Sequence, residues 1–284
     1  MLRRITRVAP QNAVAPGNTT IFTLPVDRRY HKAQLKVNNN ANRNTIESII
    51  ERVRVIVDDV EQRNNKASEI LDINAIYGVD FVAGYLDLFF SEPWLRNLSN
   101  ENLLSWSMGN VANFRIEVDV AASASNPQLE LTVEHDNPIN EDGTLPPLDN
   151  IVKWFRRPIG VTSTGERDIM DLPKDQGRLK ALHLFQASAG DIETATLDVD
   201  QLQIFNPRGV NDLKRFIEVQ NPDYNFGGPD GDVISLITAL NGNMQDTLPL
   251  VKNNGQRVSE LKLTTTMATA SDFTVVGEYI GKPA

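Results

Sequence analysis

A chain of 284 residues, 40% hydrophobic and 23% charged, has room for one or two domains of ordinary globular composition. It contains no Cys, which excludes disulfides, thiolate metal sites and cysteine nucleophiles. A formal charge of −9 argues against a wide nucleic-acid-binding surface, and no run approaches the roughly 18 apolar residues that a membrane-spanning helix needs.

Residues 1–18 carry Arg3, Arg4 and Arg7 ahead of the first acid, Asp27. Pro10, Pro16, Gly17 and weak periodicity predict an extended arm. It is either a flexible tail or a contact arm for an anionic or neighbouring surface. Charge without an apolar stretch is not a secretory signal. Thr19–Leu24 and Lys32–Val37 follow as strands, and Asn38–Asn44 (NNNANRN) as a loop. Ile46–Asp58 is mixed: its start can be helical, and Val53, Val55 and Val57 alternate as a half-buried strand. Ala67–Tyr77 is a short helix and Gly84–Phe90 a strand, and Ser99 is placed as the N-cap of a helix over Asn100–Ser105. Phe114–Val120 and Gln128–Val133 have a clean period of two. Asn137–Asp149, with three Pro, one Gly and three acids, reads as the linker. Beyond it Ile151–Phe155 restarts the strands, and Arg156-Arg157-Pro158 breaks the pattern. Ile169–Leu172 and Leu179–Gln186 are strands, and Thr194–Phe205 alternates throughout and predicts one long strand. Val210–Val219 is a helix with Leu213, Phe216, Ile217 and Gln220 facing one way. Val233–Leu240 is a strand or buried helix, Gly242–Gln256 is loop-rich, and Val258–Thr264 and Phe273–Ile280 are the last strands.

The chain states this pattern twice. LPVDRRYHKAQLKV from Leu24 and LPKDQGRLKALHLF from Leu172 share Leu, Pro, Asp, Lys and Ala at an offset of 148. Val57-Asp58 and Val199-Asp200 each end an alternating run that is followed by a helix. Two strands around a small polar spacer close each half. A repeat this long fits tandem domains. The predicted layout is an arm over 1–18, a first domain over 19–140 and a second over 141–284. The predicted fold is all-β: two tandem eight-stranded jelly-roll sandwiches, with short helices in the connections.

The chemistry-bearing residues are sparse. His31, His135 and His183 do not cluster as metal ligands and are expected at a surface or an interface. No nucleophile elbow, P-loop or zinc-protease motif is present. Asp198 and Asp200 would share one strand face, expected to be solvated. Asn221–Asp232 sets Asp223, Asp230 and Asp232 among glycines, which suits either a hard cation such as calcium or turn chemistry. Trp94, Trp106 and Trp154 form no spaced platform and are expected to anchor core or subunit contacts. No catalytic set emerges. A tandem β-sandwich that binds carbohydrate or a receptor, in the manner of a viral spike, is the alternative.

A tandem pair of jelly rolls of this length resembles the double jelly-roll major capsid proteins of tailless icosahedral DNA viruses, among them the corticovirus major capsid protein and its relatives in marine tailless phages. Local similarities are Val14-Ala15-Pro16-Gly17-Asn18 with the strand after it, Val53-Arg54-Val55, Asp168–Pro173 and Val276–Gly281. The resemblance implies a structural virion protein. Its homotrimers would be pseudo-hexagonal tiles of an icosahedral shell over an internal membrane. Trimers would be partners of one another and of a vertex protein, and DNA would be left to other components. It also implies calcium as a ligand class, and a membrane or neighbour contact for the Arg3, Arg4 and Arg7 arm.

Overall fold

Alternation decides most of the elements. In Phe114–Val120 every second side chain is apolar, and a pleated strand sends these to one face. Phe114, Ile116, Val118 and Val120 are all buried. On the other face Arg54 of the adjacent strand reaches Glu117 (3.2 Å) and Asp119 (2.7 Å). Such half-exposed pairs contribute a few tenths to about 1 kcal/mol each.

The computed structural model describes residues 2–94, 104–222, 224–226, 231–239, 244–252 and 255–283. It divides into two units: Met1–Asn74, Val79–Trp154 and Gly281–Ala284 form the first, and Ala75–Gly78 with Phe155–Ile280 the second. In chain order, the strands from the first half are β1 (Arg4–Val8), β2 (Thr19–Leu24), β3 (Arg29–Val37), β4 (Ile50–Val57), β5 (Val60–Asn65), β6 (Tyr85–Phe89), β7 (Trp106–Ser107), β8 (Phe114–Val120) and β9 (Leu129–Asp136). Among the described residues two helices interrupt them, α1 (Arg43–Ile49) and α2 (Ala67–Ile76). The sheets run β1-β9-β3-β6, with β7 also on β3, and β2-β8-β4-β5.

The second half repeats this plan. Its strands are β10 (Ile151–Ile159), β11 (Gly165–Ile169), β12 (Arg178–Phe185), β13 (Ile192–Val199), β14 (Leu202–Phe205), β15 (Val233–Ile237), β16 (Leu248–Pro249), β17 (Leu261–Met267) and β18 (Phe273–Gly281). Helix α3 is Val210–Gln220. The sheets run β10-β18-β12-β15, with β16 on β12, and β11-β17-β13-β14. Each strand of the second half thus has the partners of its counterpart in the first. Eight main strands in two antiparallel sheets with this crossover order make a jelly roll, so the chain is a double jelly roll. The first core is Phe22, Leu35, Ile46, Val55, Trp106, Phe114, Ile116 and their neighbours, with the Tyr30 and Phe114 rings 5.2 Å apart. The second holds Leu184, Leu197, Ile217, Leu236, Leu263 and Val275.

The duplicated Asp marks a duplicated turn. Asp58 and Asp59 have left-handed φ of 47° and 64°, and Asp200 and Gln201 have 47° and 66°. Two successive left-handed residues make the type I′ hairpin turn that suits twisted strands. The Asp58 carboxylate accepts from the amides of Ala112 (2.7 Å) and Asn113 (2.9 Å). The Asp200 carboxylate accepts from Ser259 (2.6 Å) and Glu260 (3.0 Å) in the same way. Thr194–Phe205 is therefore a hairpin and not one long strand, and Asp200 is a turn residue that shares no strand face with Asp198.

Other elements depart from expectation. Arg4–Val8 is an edge strand on β9, from Arg4↔His135 to Val8↔Leu131, and not a free tail. Gln11 N–H then bonds Ile21 O (2.8 Å), and Gly17 N–H bonds Val120 O (3.1 Å). Strand β5 was not expected, because its buried positions include Gln62, Arg63 and Asn65. β10 runs through Arg156-Arg157-Pro158, and an edge strand tolerates Pro. β11 ends at Ile169, where Ile169–Leu172 was expected to begin. α1 starts inside the Asn-rich loop, capped by Asn42, whose side chain accepts from Thr45 N–H (2.8 Å); such a cap contributes about 1 kcal/mol. Most of the helix expected over Asn100–Ser105, with its cap Ser99, lies outside the described residues; Leu104 and Ser105 are not helical. The proline-rich segment is strapped down at its end. Pro146 O accepts from Ser107 Oγ (2.5 Å) and Gly109 N–H (3.2 Å), and Leu148 N–H donates to Asn110 Oδ1 (2.6 Å).

The repeats also differ by one residue from their sequence identities. β3 bulges against β9 between Tyr30 and Lys32, and β12 against β18 between Leu179 and Ala181. Counted from the bulges, Lys32 corresponds to Ala181 and Gln34 to His183. The paired Lys32/Lys180 and Ala33/Ala181 identities are thus out of structural register.

Candidate functional site

With no catalytic set in the sequence, the candidate sites are sheet surfaces and buried polar clusters. On the outward face of β9-β3-β6, Lys32, Gln34 and Lys36 stand between Asp87 of β6 and Thr132 and Glu134 of β9. Lys32 Nζ lies 3.0 Å from Asp87, and Gln34 Nε2 donates to the same carboxylate (2.9 Å). Arg3 pairs with Glu134 at 3.0 Å. These side chains are half-buried, and Lys32 also lies over the Phe89 ring.

The matching face of β18-β12-β15 is buried. His183 Nδ1 and Ser235 Oγ are 2.9 Å apart, at the place where Gln34 meets Asp87. Glu278 takes Lys180 Nζ at 2.6 Å, His183 Nε2 at 3.2 Å and the Tyr77 hydroxyl at 3.1 Å. The Tyr77 ring lies edge-on to His183 and has Lys180 Nζ 4.1 Å from its centroid. Burial alone would raise the Glu278 carboxyl, but the Lys180 charge and the His183 contact outweigh it and hold the group ionised below the usual glutamate range. Ser235, His183 and Glu278 form a hydroxyl–imidazole–carboxylate string, the constellation of an acyl-transfer triad. All three are 1% exposed or less, so no substrate reaches the Ser235 hydroxyl. The string is a satisfied internal network.

The first unit has its own buried charge. Asp136 accepts two bonds from Arg29 (2.9 and 2.6 Å) and lies 3.2 Å from His31 Nε2. Burial pushes its carboxyl up, and the Arg29 bonds and the His31 and Arg29 charges bring it below the ordinary aspartate value. His31 and His135 are both lowered, first by burial and then by the charges of Arg3 and Arg28 respectively. Thr6 Oγ1 contacts His135 Nε2 at 2.9 Å. All three histidines are therefore core groups within the chain, where surface or interface positions were expected. A histidine in sequence carries no mark of the carboxylate or hydroxyl that lets it be buried.

The remaining candidates are dispersed. Arg3 is committed to Glu134, while Arg4 and Arg7 of β1 are exposed. Asp232 is half-buried; Asp223 and Asp230 lie outside the described residues. Among the described residues no three His, Asp or Glu are grouped to hold a metal ion. Trp106 is a core residue, and Trp154 packs against that core with Arg63 4.8 Å from its ring. On α3, Leu213 and Ile217 are buried as expected, but Phe216 faces solvent.

Comparison with known proteins agrees with this architecture. The major capsid protein P2 of bacteriophage PM2 superimposes with a TM-score of 0.85 at 17% identity, covering 100% of this chain and 98% of that one. The major capsid protein of STIV gives 0.68 at 8% identity, over 99% and 97%. That of Faustovirus gives 0.62 at 8% identity, over 98% and 89%. At these identities the likeness is one of fold. No curated protein matches the sequence. Family models for the viral coat protein P2 N-terminal and C-terminal domains match residues 5–135 and 151–283. Together they span nearly the whole chain, which therefore belongs to the viral coat protein P2 family as a structural, non-enzymatic protein of the virion capsid.

Proposed function

We propose that three copies of this major capsid protein form a homotrimer whose six jelly rolls make a pseudo-hexagonal tile of an icosahedral shell. The observation that carries the reading is the duplication: two units with one strand order give a threefold particle six similar edges. Closed symmetry makes the tile, and heterologous contacts between tiles extend it. Obligate interfaces of this kind bury above about 2,000 Å². An internal membrane beneath the shell and a vertex protein at its corners complete the proposed assembly. The domain boundary near residue 140 belongs to it too, with the N-terminal segment joined to the first jelly roll through β1.

Arg4 and Arg7 are proposed to contact a neighbouring tile or anionic headgroups, since both are exposed on an edge strand. Reversing them to Glu would impair assembly without unfolding the chain; unimpaired assembly would remove this role. Calcium is proposed to bridge Asp223, Asp230 and Asp232. Light scattering on the purified chain tests the central reading. A species of about three times 31.6 kDa that persists on dilution supports the trimer, and a monomer refutes it. Loss of the trimer in chelator, and its return with calcium, would support the ion; indifference to both would dismiss it.

A further inference from the structure

Phe216 and Val219 stand on the outward side of α3, 51% and 68% exposed. The helix is held in its unit by Leu213 and Ile217. In the first half α2 fills the same connection, between β5 and β6 as α3 lies between β14 and β15. Aligned on their first residues, Ala67 and Val210, the helices set Ile70 against Leu213, both buried. The same alignment sets Ile73 and Ile76 against Phe216 and Val219. Ile73 and Ile76 are 1% and 0% exposed. A position that is covered on one helix is thus bare on its duplicate, with apolar side chains at both.

The sheets show the complementary asymmetry. The outward face of β18-β12-β15 is buried, and Tyr77, the residue after α2 and part of the second unit, lies on it. The outward face of β9-β3-β6 is only half-buried. Among the described residues one helix thus has a bare apolar face and one sheet has a half-open face. Charge fits the same pairing. Arg215 beside Phe216 and Glu130 beside Thr132 are exposed, and neither forms an ion pair among the described residues.

We propose that the bare face of α3 packs on the outward β9-β3-β6 face of a second copy of this chain. The inference rests on the self-assembly reading above and names the surfaces that it uses. The contact is heterologous, so it repeats head to tail, and with a third of a turn between copies it closes as the ring of three proposed above.

The absence of Cys makes the test clean. Phe216→Glu and Val219→Lys are compared with the wild type by light scattering, with far-UV circular dichroism and melting as the check on folding. Each variant is expected to fall from three copies to one while remaining folded. Should Phe216→Glu unfold, Val219→Lys decides, because its side chain is the more exposed. A second arm pairs Val219→Cys with Thr132→Cys under mild oxidation. It is expected to give covalent dimers and trimers that neither single variant gives. A wild-type trimer that survives both charge variants, or one that yields no intermolecular disulfide, would overturn the inference and leave the trimer standing. A monomeric wild type would overturn the self-assembly reading and this inference with it.

Discussion

Strands β9-β3-β6 and β18-β12-β15 have the same order and the same bulge, yet their outward faces differ in kind. On the first, β3 alternates strictly beyond its bulge, with Lys32, Gln34 and Lys36 outward, and the face is half-open. On the second, β12 reads RLKALHLF and β15 reads VISLI, and both are buried almost throughout. Topology follows from the inward residues, which keep their period in both halves. The outward residues decide what each sheet meets next. A run that stops alternating is a strand covered on both sides, and here the loss of alternation in β12 and β15 reports that cover directly.

The sharpest way to break this comparison is through the buried carboxylate. Glu278→Ala leaves Lys180 buried without its partner, which costs about 3–5 kcal/mol. Glu134→Ala, at the matching half-exposed position, is expected to cost under about 0.5 kcal/mol. All three Trp lie in the first unit, so tryptophan fluorescence reads that unit alone while circular dichroism reads both. In urea, Glu278→Ala should lower the dichroism transition and leave the fluorescence midpoint in place. Equal effects of the two substitutions would remove the claimed difference between the faces.

Gly109→Ala should do the reverse. A Cβ at Gly109 would overlap the carbonyl oxygens of Leu145 and Pro146, so the strap must move. Overpacking against backbone costs about 1–3 kcal/mol, and the fluorescence transition should carry it. The duplicated turns are a control in which the units behave alike. Asp58→Ala and Asp200→Ala each remove a charged acceptor for two amides and are expected to lower stability by similar small amounts. Denaturation midpoints that differ widely between the two would show that the turns are not equivalent.

The smallest expected effect is in pH. His31 and His135 have folded-state values below the ordinary one, so the unfolded chain binds protons that the folded chain does not. Their contribution is whole above about pH 6.5 and is lost as pH falls. Asp136 and Glu278 have the same sign, with a window that opens only below about pH 4. The fluorescence midpoint should therefore decline between about pH 6.5 and 5. A midpoint that is constant over that range would mean that the two histidines are not held neutral.

The fold was legible where one face of a strand is apolar, as in Phe114–Val120, and the repeat was legible from Asp58 and Asp200. β5 was hidden because Gln62, Arg63 and Asn65 are buried, and buried polar residues leave no hydrophobic period. The hairpin at Asp200–Gln201 was hidden because a two-residue turn does not interrupt alternation. β1 was hidden because its partner lies more than a hundred residues away on β9. Helical period grouped Phe216 with Leu213 and Ile217, but only the latter two are buried, because period alone does not say how far round an apolar helix the core reaches.

The most direct measurement is an electron cryomicroscopy reconstruction of the purified oligomer at a resolution that traces strands and helices. The account predicts three chains in a ring, first and second units alternating, with α3 of each copy against the outward β9-β3-β6 face of the next. A ring in which like units meet, or in which Phe216 and Val219 remain in solvent, would contradict it.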